Sequence, residues 1–285
     1  MVFDIAPDGT KYVAYKNADN KLSVDAFING SWQAVGNVSA VSDIEVSELA
    51  MAINDSGGVL VGYSDSSQAD KATVIVFEND TWFMVDEGFS DGAVSSLSLG
   101  FNSNDIPYIA FRDEHNGENK ATVMKMGEGE FEEMNSTRFT DDPISAINLD
   151  FGSLDDPFVG YYQSFDSCGA GLTDDSGVLI IAVPCASAPS DAKLAMDSYD
   201  YLYYAYTTYN GSAQNLNVLS YDSEIDVWTH IGGEEFTNYS SYGISSFDLK
   251  LDENNKPYVA FSANEGGDGS DTITVMSFEN GSRIQ

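Results

Sequence analysis

Several groups of residues in this 285-residue chain are of types that could do chemistry. The stretch GGDGSDTIT, from Gly266 to Thr274, matches one Gly-Gly-x-Gly-x-Asp-x-apolar-x repeat. It sets Asp268 and Asp271 among flexible glycines with Glu265 close by, and hard oxygen ligands of that kind suit Ca2+. The motif works in stacked tandem copies whose neighbouring turns share the ion, and it occurs here once. Asp113, Glu114 and Glu118 form a poorer set of the same kind. Asp65 and Asp113 each follow an aromatic-rich run, and paired carboxylates can divide acid and base work at a glycosidic bond. The pentapeptide GFSDG, Gly88 to Gly92, has Gly-x-Ser-x-Gly spacing. A nucleophile elbow also needs a strand-to-helix turn and His and acid partners, so Ser90 is expected to be a loop serine. His115 and His230 are the only histidines, and neither HExxH nor Cys/His spacing argues for zinc. Tyr199, Tyr201, Tyr203, Tyr204, Tyr206 and Tyr209 crowd one segment. Exposed rings could stack on sugars, but their alternation predicts packing between layers. Tyr199 and Tyr209, in or near loops, are the better ligand candidates.

The elements that must position these residues come from a repeat. FDIAPDGTKYVAYKN (from Phe3), LAMAINDSGGVLVGYSD (Leu49), LSLGFNSNDIPYIAFRD (Leu97), INLDFGSLDDPFVGYYQ (Ile147), AKLAMDSYDYLYYAYTT (Ala192) and FDLKLDENNKPYVAFSA (Phe247) align. Each is an alternating apolar run, a turn rich in Gly, Asn and Asp, then an aromatic-rich run. A small residue recurs inside that second run, as Ala14, Gly62, Ala110, Gly160, Ala205 and Ala260, at intervals of 48, 48, 50, 45 and 55 residues. A second hairpin follows each unit, as in KATVIVFENDTWFMVD. The pattern gives four short strands per repeat, termed a to d, with a two-residue period and almost no helical periodicity. Units of this kind are blades of a β-propeller. The expectation is an all-β, six-bladed propeller of four-stranded antiparallel blades. It forms one domain over 1–285, with repeats at about 1–48, 49–96, 97–146, 147–191, 192–246 and 247–285. A blade cannot bury both apolar faces alone, so stacking is obligatory. The small residue in strand b is expected to let neighbouring blades approach.

The a–b hairpins FDIAPDGTKYVAY and LKLDENNKPYVAF resemble those of six-bladed propellers of the NHL and TolB-like kind. The resemblance implies architecture and carries no specific activity. WD dipeptides, the recurring Kelch double-glycine pattern and sialidase Asp boxes are missing.

Cys168 and Cys185 are the only cysteines. A two-residue turn at Ser176–Gly177 places them opposite one another on strands c and d, within disulfide reach. Asn29, Asn37, Asn54, Asn79, Asn135, Asn210, Asn238 and Asn280 head Asn-x-Ser/Thr sequons. Asn29, Asn79 and Asn280 fall at c–d turns, where Asn-Gly and Asn-Asp are favoured for turn geometry alone. The balance of 46 acidic against 12 basic residues, net −34, argues against nucleic acid and against anionic membrane surfaces. No apolar run approaches a membrane span. MVFDIA enters patterned sequence at once, and the end in FENGSRIQ predicts a piece of a longer polypeptide. Disulfide, sequons and acidity together lead to an extracellular or cell-surface setting. The expected function is a non-catalytic recognition or structural glycoprotein of adhesion, matrix or surface assembly. Its partners would be a protein or glycan at a cell surface, or further copies of itself; Ca2+ is the one cofactor considered. The alternatives are a lectin-like glycan binder and a hydrolase or lyase using carboxylates at a channel mouth, such as Asp65 and Asp113.

Overall fold

The computed structural model describes all residues except 135–137, 154, 164–166, 175–176, 184–191, 210–212, 224, 234–236, 238, 241–242, 264–271, 280–281 and 285. The fold is an all-β propeller of four-stranded antiparallel blades. The chain divides into two compact units, Met1–Pro143 with Asp174–Val178, and Ile144–Thr173 with Leu179–Gln285.

In the first unit, β1 (Val2–Ile5), β2 (Lys11–Lys16), β3 (Leu22–Ile28) and β4 (Ser31–Ala34) form one sheet. β5 (Val46–Ile53), β6 (Val59–Asp65), β7 (Lys71–Glu78) and β8 (Thr81–Asp86) form the next. β9 (Val94–Phe101), β10 (Pro107–Asp113), β11 (Lys120–Met126) and β12 (Phe131–Glu133) form the third. The remaining sheets, which belong to the second unit except for Asp174, Gly177 and Val178, comprise β13 (Ile144–Phe151), β14 (Pro157–Gln163), β15 (Ser167–Asp174) and β16 (Gly177–Val183); then β17 (Ala192–Met196), β18 (Leu202–Tyr209), β19 (Ala213–Asp222) and β20 (Val227–His230), with β21 (Tyr239–Ser240); then β22 (Ile244–Leu251), β23 (Pro257–Ala263), β24 (Thr272–Glu279) and β25 (Ser282–Ile284). Each runs in chain order, as the repeat pattern predicts. Five of these sheets are four-stranded. In the other, β21 pairs with β19 beside β20 and makes five strands. The expected count of six like blades is therefore corrected to five. The cause is visible in the spacing: the Ala205–Ala260 interval is the longest, and its extra residues supply the added strand.

The core lies between sheets. In the first unit, Ala14, Leu22 and Val24 pack with Val59, Val61 and Tyr63, and Ala50 and Leu60 pack with Leu99, Ile109 and Phe111. In the second, Leu194 and Tyr204 pack with Tyr162, and Leu216 and Val218 pack with Phe247 and Phe261. The small residue of strand b behaves as predicted. A Cβ on Gly62 would stand 3.1 Å from Leu99 Cδ1, and one on Gly160 would stand 2.9 Å from Leu194 Cβ. Tyr204 and Tyr206 are buried at 0% and 2% exposure, as alternation predicts.

Polar side chains also join neighbouring inner strands. Asp4 Oδ2 accepts from Ile53 N–H at 3.1 Å, and the repeat-equivalent Asp150 Oδ2 accepts from Met196 N–H at 2.9 Å. Asn148, two residues earlier on the same face, accepts from Leu194 N–H at 2.8 Å. The a–b turns carry a second latch. Asp105 accepts from Asp55 N–H, Asp200 from Ser153 N–H, and Asn255 from Ser198 N–H. The three acceptors sit at one turn position with φ of 57°, 64° and 62°. Asp and Asn tolerate this left-handed conformation best among residues with side chains. The c–d turns use the same chemistry: Asn29–Gly30 and Asn79–Asp80 have positive φ at both central positions, as a type I′ hairpin requires.

Candidate functional site

The loops joining strand d to the next strand a are held by one recurring device. Ser42 Oγ accepts from Leu22 N–H, Ser90 Oγ from Ala72 N–H, Thr140 Oγ1 from Ala121 N–H and Thr237 Oγ1 from Leu216 N–H. All four hydroxyl residues are buried. Ser90, the centre of GFSDG, also donates to Gly92 O at 2.7 Å. It is thus a loop clasp, 2% exposed, as expected for a non-elbow serine.

The carboxylates that end strand b have a related job. Asp65, 2% exposed, accepts through Oδ1 from the Ser67 N–H at 2.8 Å and Ser67 Oγ at 2.6 Å. Among the described residues its Oδ2 meets only Thr73 Oγ1, at 3.4 Å. Asp113, 1% exposed, accepts through Oδ1 from His115 N–H at 2.8 Å, and its Oδ2 lies 3.3 Å from Arg138 Nη1. Arg138 Nη1 also reaches Asp91 Oδ2 at 2.5 Å. The guanidinium lowers the Asp91 pKa, and the pair of carboxylates raises that of Arg138.

Between the first two sheets these features enclose a cavity of about 330 Å3. One wall is the loop carrying Ser42, Asp43 and Ile44; the others are Tyr63 and Asp65 of β6, Trp82, Phe83 and Met84 of β8, and Glu87. Phe83 and Met84 are 47% and 52% exposed. Trp82 is fixed by a hydrogen bond to Val35 O at 3.3 Å and by packing on Phe77 at 5.2 Å between centroids. Tyr63 is 4% exposed, and its hydroxyl has no hydrogen-bond partner among the described residues. Burial, and then the charges of Asp65 and Glu87, push its pKa up, so the phenol keeps its proton and remains a donor. A shallower depression of about 710 Å3, lined by Asn17, Asp19, Lys21 and Asn37, shares Ser42 and Asp43 with the cavity.

The residues singled out in the sequence are dispersed. Tyr199 stands in the β17–β18 turn, 75% exposed. Tyr209 ends β18, and its side chain lies outside the described residues. So do Glu265, Asp268 and Asp271 of the calcium-like loop, Cys185 with the side chain of Cys168, and the sequons at Asn135, Asn210, Asn238 and Asn280. Among the described residues no group of three or more His, Cys, Asp or Glu is placed to hold a metal ion. Asn29, Asn37 and Asn79 are exposed; Asn54 is half-buried and accepts from Gly58 N–H at 2.7 Å. Asp65 reaches the cavity, but Asp113 is closed off by Arg138, so the two do not form one carboxylate pair. Trp82, Phe83, Tyr63 and Asp43 were not singled out in the sequence. The one signal that could have found them is the unbroken apolar run WFMV after an Asn-Asp turn, which exposes two large apolar side chains on an outer strand.

No protein family matches the chain, and no curated protein matches it. Solved structures do. AofleA from Arthrobotrys oligospora superposes with a TM-score of 0.61 at 12% identity, over 99% of this chain and 83% of that one. An ulvan lyase, a polysaccharide lyase bound to -[GlcA(1-4)Rha3S]-, gives 0.60 at 8% identity over 99% and 79%. The SapL1 lectin in complex with alpha methyl fucoside gives 0.58 at 12% identity over 98% and 92%. At such identities the likeness is one of fold. It corrects the expectation of a non-catalytic structural or adhesion protein, since solved proteins of this fold include a lectin and a lyase. It likewise removes the ground for reading the chain as no enzyme. Function lives in sites grafted onto a fold, so a missing sequence motif excludes little. Among the described residues no helix is long and apolar enough to cross a membrane.

Proposed function

We propose that the chain is an extracellular glycan-binding protein whose site is the cavity between the first two sheets. The carrying observation is that Trp82 and Phe83 share about 330 Å3 with Asp43, Asp65, Glu87 and the unpartnered Tyr63 hydroxyl. A sugar offers an apolar C–H face to aromatic rings and hydroxyls to carboxylates, and this lining supplies both partners. The adjoining depression at Asn17 and Asn37 leaves room for a second sugar. A net charge of −34 repels uronate- or sulfate-bearing chains, which points away from anionic polysaccharides. On this reading the five-stranded sheet over 192–240 serves as a further blade.

The test is a glycan array with the intact chain, repeated with Phe83→Ala. Phe83 is half-exposed, so the substitution should leave the melting temperature unchanged while reducing the bound signal. An array blank at millimolar glycan, or a signal indifferent to Phe83→Ala, would refute the site. A second reading, a glycan hydrolase or lyase, is favoured by one observation: three carboxylates, of Asp43, Asp65 and Glu87, line the same cavity. Release of reducing ends from a bound glycan, lost in Asp43→Asn, would establish it.

A further inference from the structure

The carboxylates of the cavity have counterparts one sheet further on, and the two sites differ at one decisive position. Gly88 N–H donates to Thr73 Oγ1 at 3.1 Å, and Arg138 N–H donates to Thr122 Oγ1 at 3.0 Å. The next residues, Phe89 and Phe139, donate to Ala72 O and Ala121 O. Gly88 and Arg138 are therefore equivalent, and both are left-handed, with φ of 61° and 46°. Asp65 and Asp113 pair with Lys71 and Lys120 in the same register. Asp43 and Asp91 each follow the clasping serine of their loop. Thus the second site holds Asp91, Asp113 and a guanidinium between them, whereas the first holds Asp43 and Asp65 opposite a glycine.

Acidic side chains alone would be solvated. Here a second feature marks the place. Tyr63, 4% exposed, lines the same cavity with a hydroxyl that has no hydrogen-bond partner among the described residues, and a phenol O–H is a donor ready for a ligand oxygen. The wall also differs from its counterpart. Trp82 and Phe83 correspond, by the pairings of Phe77 with Trp82 and Met126 with Phe131, to Phe131 and Glu132. The first site thus has an exposed aromatic face where the second does not.

We infer that this cavity takes a sugar bearing a free amine, its ammonium held by Asp43 and Asp65 in the place that Arg138 fills one sheet on. The ring lies against Phe83 and Trp82, and Tyr63 donates to a ring or hydroxyl oxygen. The Oδ2 of Asp65, engaged only by the long Thr73 contact, is the acceptor left for the ammonium. Charge-assisted hydrogen bonds of this kind are roughly twice as strong as neutral ones. The inference rests on the glycan-binding reading and narrows it to one substrate class.

The experiment is isothermal titration of the intact chain, at physiological ionic strength, with a β-1,4-linked glucosamine tetrasaccharide and with its fully N-acetylated counterpart. The free-amine form should bind at least about tenfold tighter, a difference of about 1.4 kcal/mol. Gly88→Arg supplies the missing guanidinium from the protein and should abolish that preference; Asp65→Asn should weaken it. Should Asp65→Asn disturb the loop that Asp65 holds, Gly88→Arg still decides, because the backbone at residue 138 shows that arginine adopts this conformation. Equal binding of the two sugars overturns the inference and leaves the glycan reading intact. Amine binding that Gly88→Arg does not change assigns it to the diffuse acidic surface, which also overturns the inference. No binding by either sugar, with a blank glycan array, overturns both.

Discussion

Asp150 offers the sharpest test of how neighbouring sheets are joined. Its Oδ1 accepts from its neighbour Phe151 N–H, and its Oδ2 accepts from Met196 N–H across the sheet boundary, each at 2.9 Å. Burial raises its pKa, while the charge of Lys250 and the two backbone donors pull the other way. The sign follows. Below an unfolded-state value of about 3.9, both states are protonated and the group is neutral with respect to folding. As pH rises above that value the unfolded chain ionises first, so stability falls until the folded group has ionised too, and is flat beyond. Asp150→Asn removes the ionisation and keeps one acceptor. Its melting temperature relative to the native chain should therefore climb as pH goes from about 4 through the raised folded-state value. Asp150→Ala removes the acceptor for Met196 N–H, whose residue is 9% exposed. Leaving that donor unpaired costs about 1–3 kcal/mol. At roughly 2–4 °C per kcal/mol for a chain of this size, the loss is about 2–12 °C. That deficit should be largest near pH 4, where no charge is relieved by the change. Scanning calorimetry of the three proteins from pH 4 to 8 reads both effects. An Asn-minus-native difference that stays flat or falls with pH would refute the argument, as would an Ala variant as stable as Asn at pH 4.

Other substitutions test neighbouring claims. Gly160→Val should lower stability by about 1–3 kcal/mol, because a Cβ there already meets Leu194 Cβ at 2.9 Å; a thermal melt checks it. Ser90→Ala should destabilise by about 1–3 kcal/mol through the freed Ala72 N–H, and the native chain should not react with a fluorophosphonate, which separates a clasp from a nucleophile. Arg138→Ala should destabilise the chain at neutral pH, since Asp113 loses its cation at 1% exposure. Because Arg138 depresses the Asp91 pKa, the Asp91 share of that loss is full above about 3.9 and disappears as pH falls through the lowered folded value. Asn37 lines the depression beside the cavity, so a glycan attached there should weaken ligand binding, and Asn37→Gln should restore it in protein made by a glycosylating host.

Much of the architecture is legible in the sequence because it is local and repeated. Alternation at period two marks strands, Asn-Gly and Asn-Asp mark I′ turns, and one recurring Ala or Gly marks the place where sheets approach. The fifth strand over Tyr239–Ser240 was hidden because it is only two residues long, set in a polar insert with no alternation to read. The site was hidden for a different reason. Its wall residues lie at 41–44, 63, 65, 67, 75, 82–84 and 87, drawn from two repeats, so no motif window contains them. A motif search instead found GFSDG, where the serine that fits the nucleophile spacing is the one the fold uses to pin a loop. Nor can pattern alone separate Asp65 from Asp113. Both end strand b, both cap the next turn through Oδ1, and both are buried. What divides them is a residue more than twenty positions away, Gly88 in one case and Arg138 in the other, at sites that match only when the backbone hydrogen bonds to Thr73 and Thr122 are superposed. The repeat that builds the scaffold therefore also supplies the internal control for its function. Equivalent register with the cation present at one site and missing at the other isolates one chemical variable, and the Gly88→Arg substitution moves that variable while pressing on Gln68, whose Cβ and Cγ stand 3.1 Å from a Cβ at residue 88.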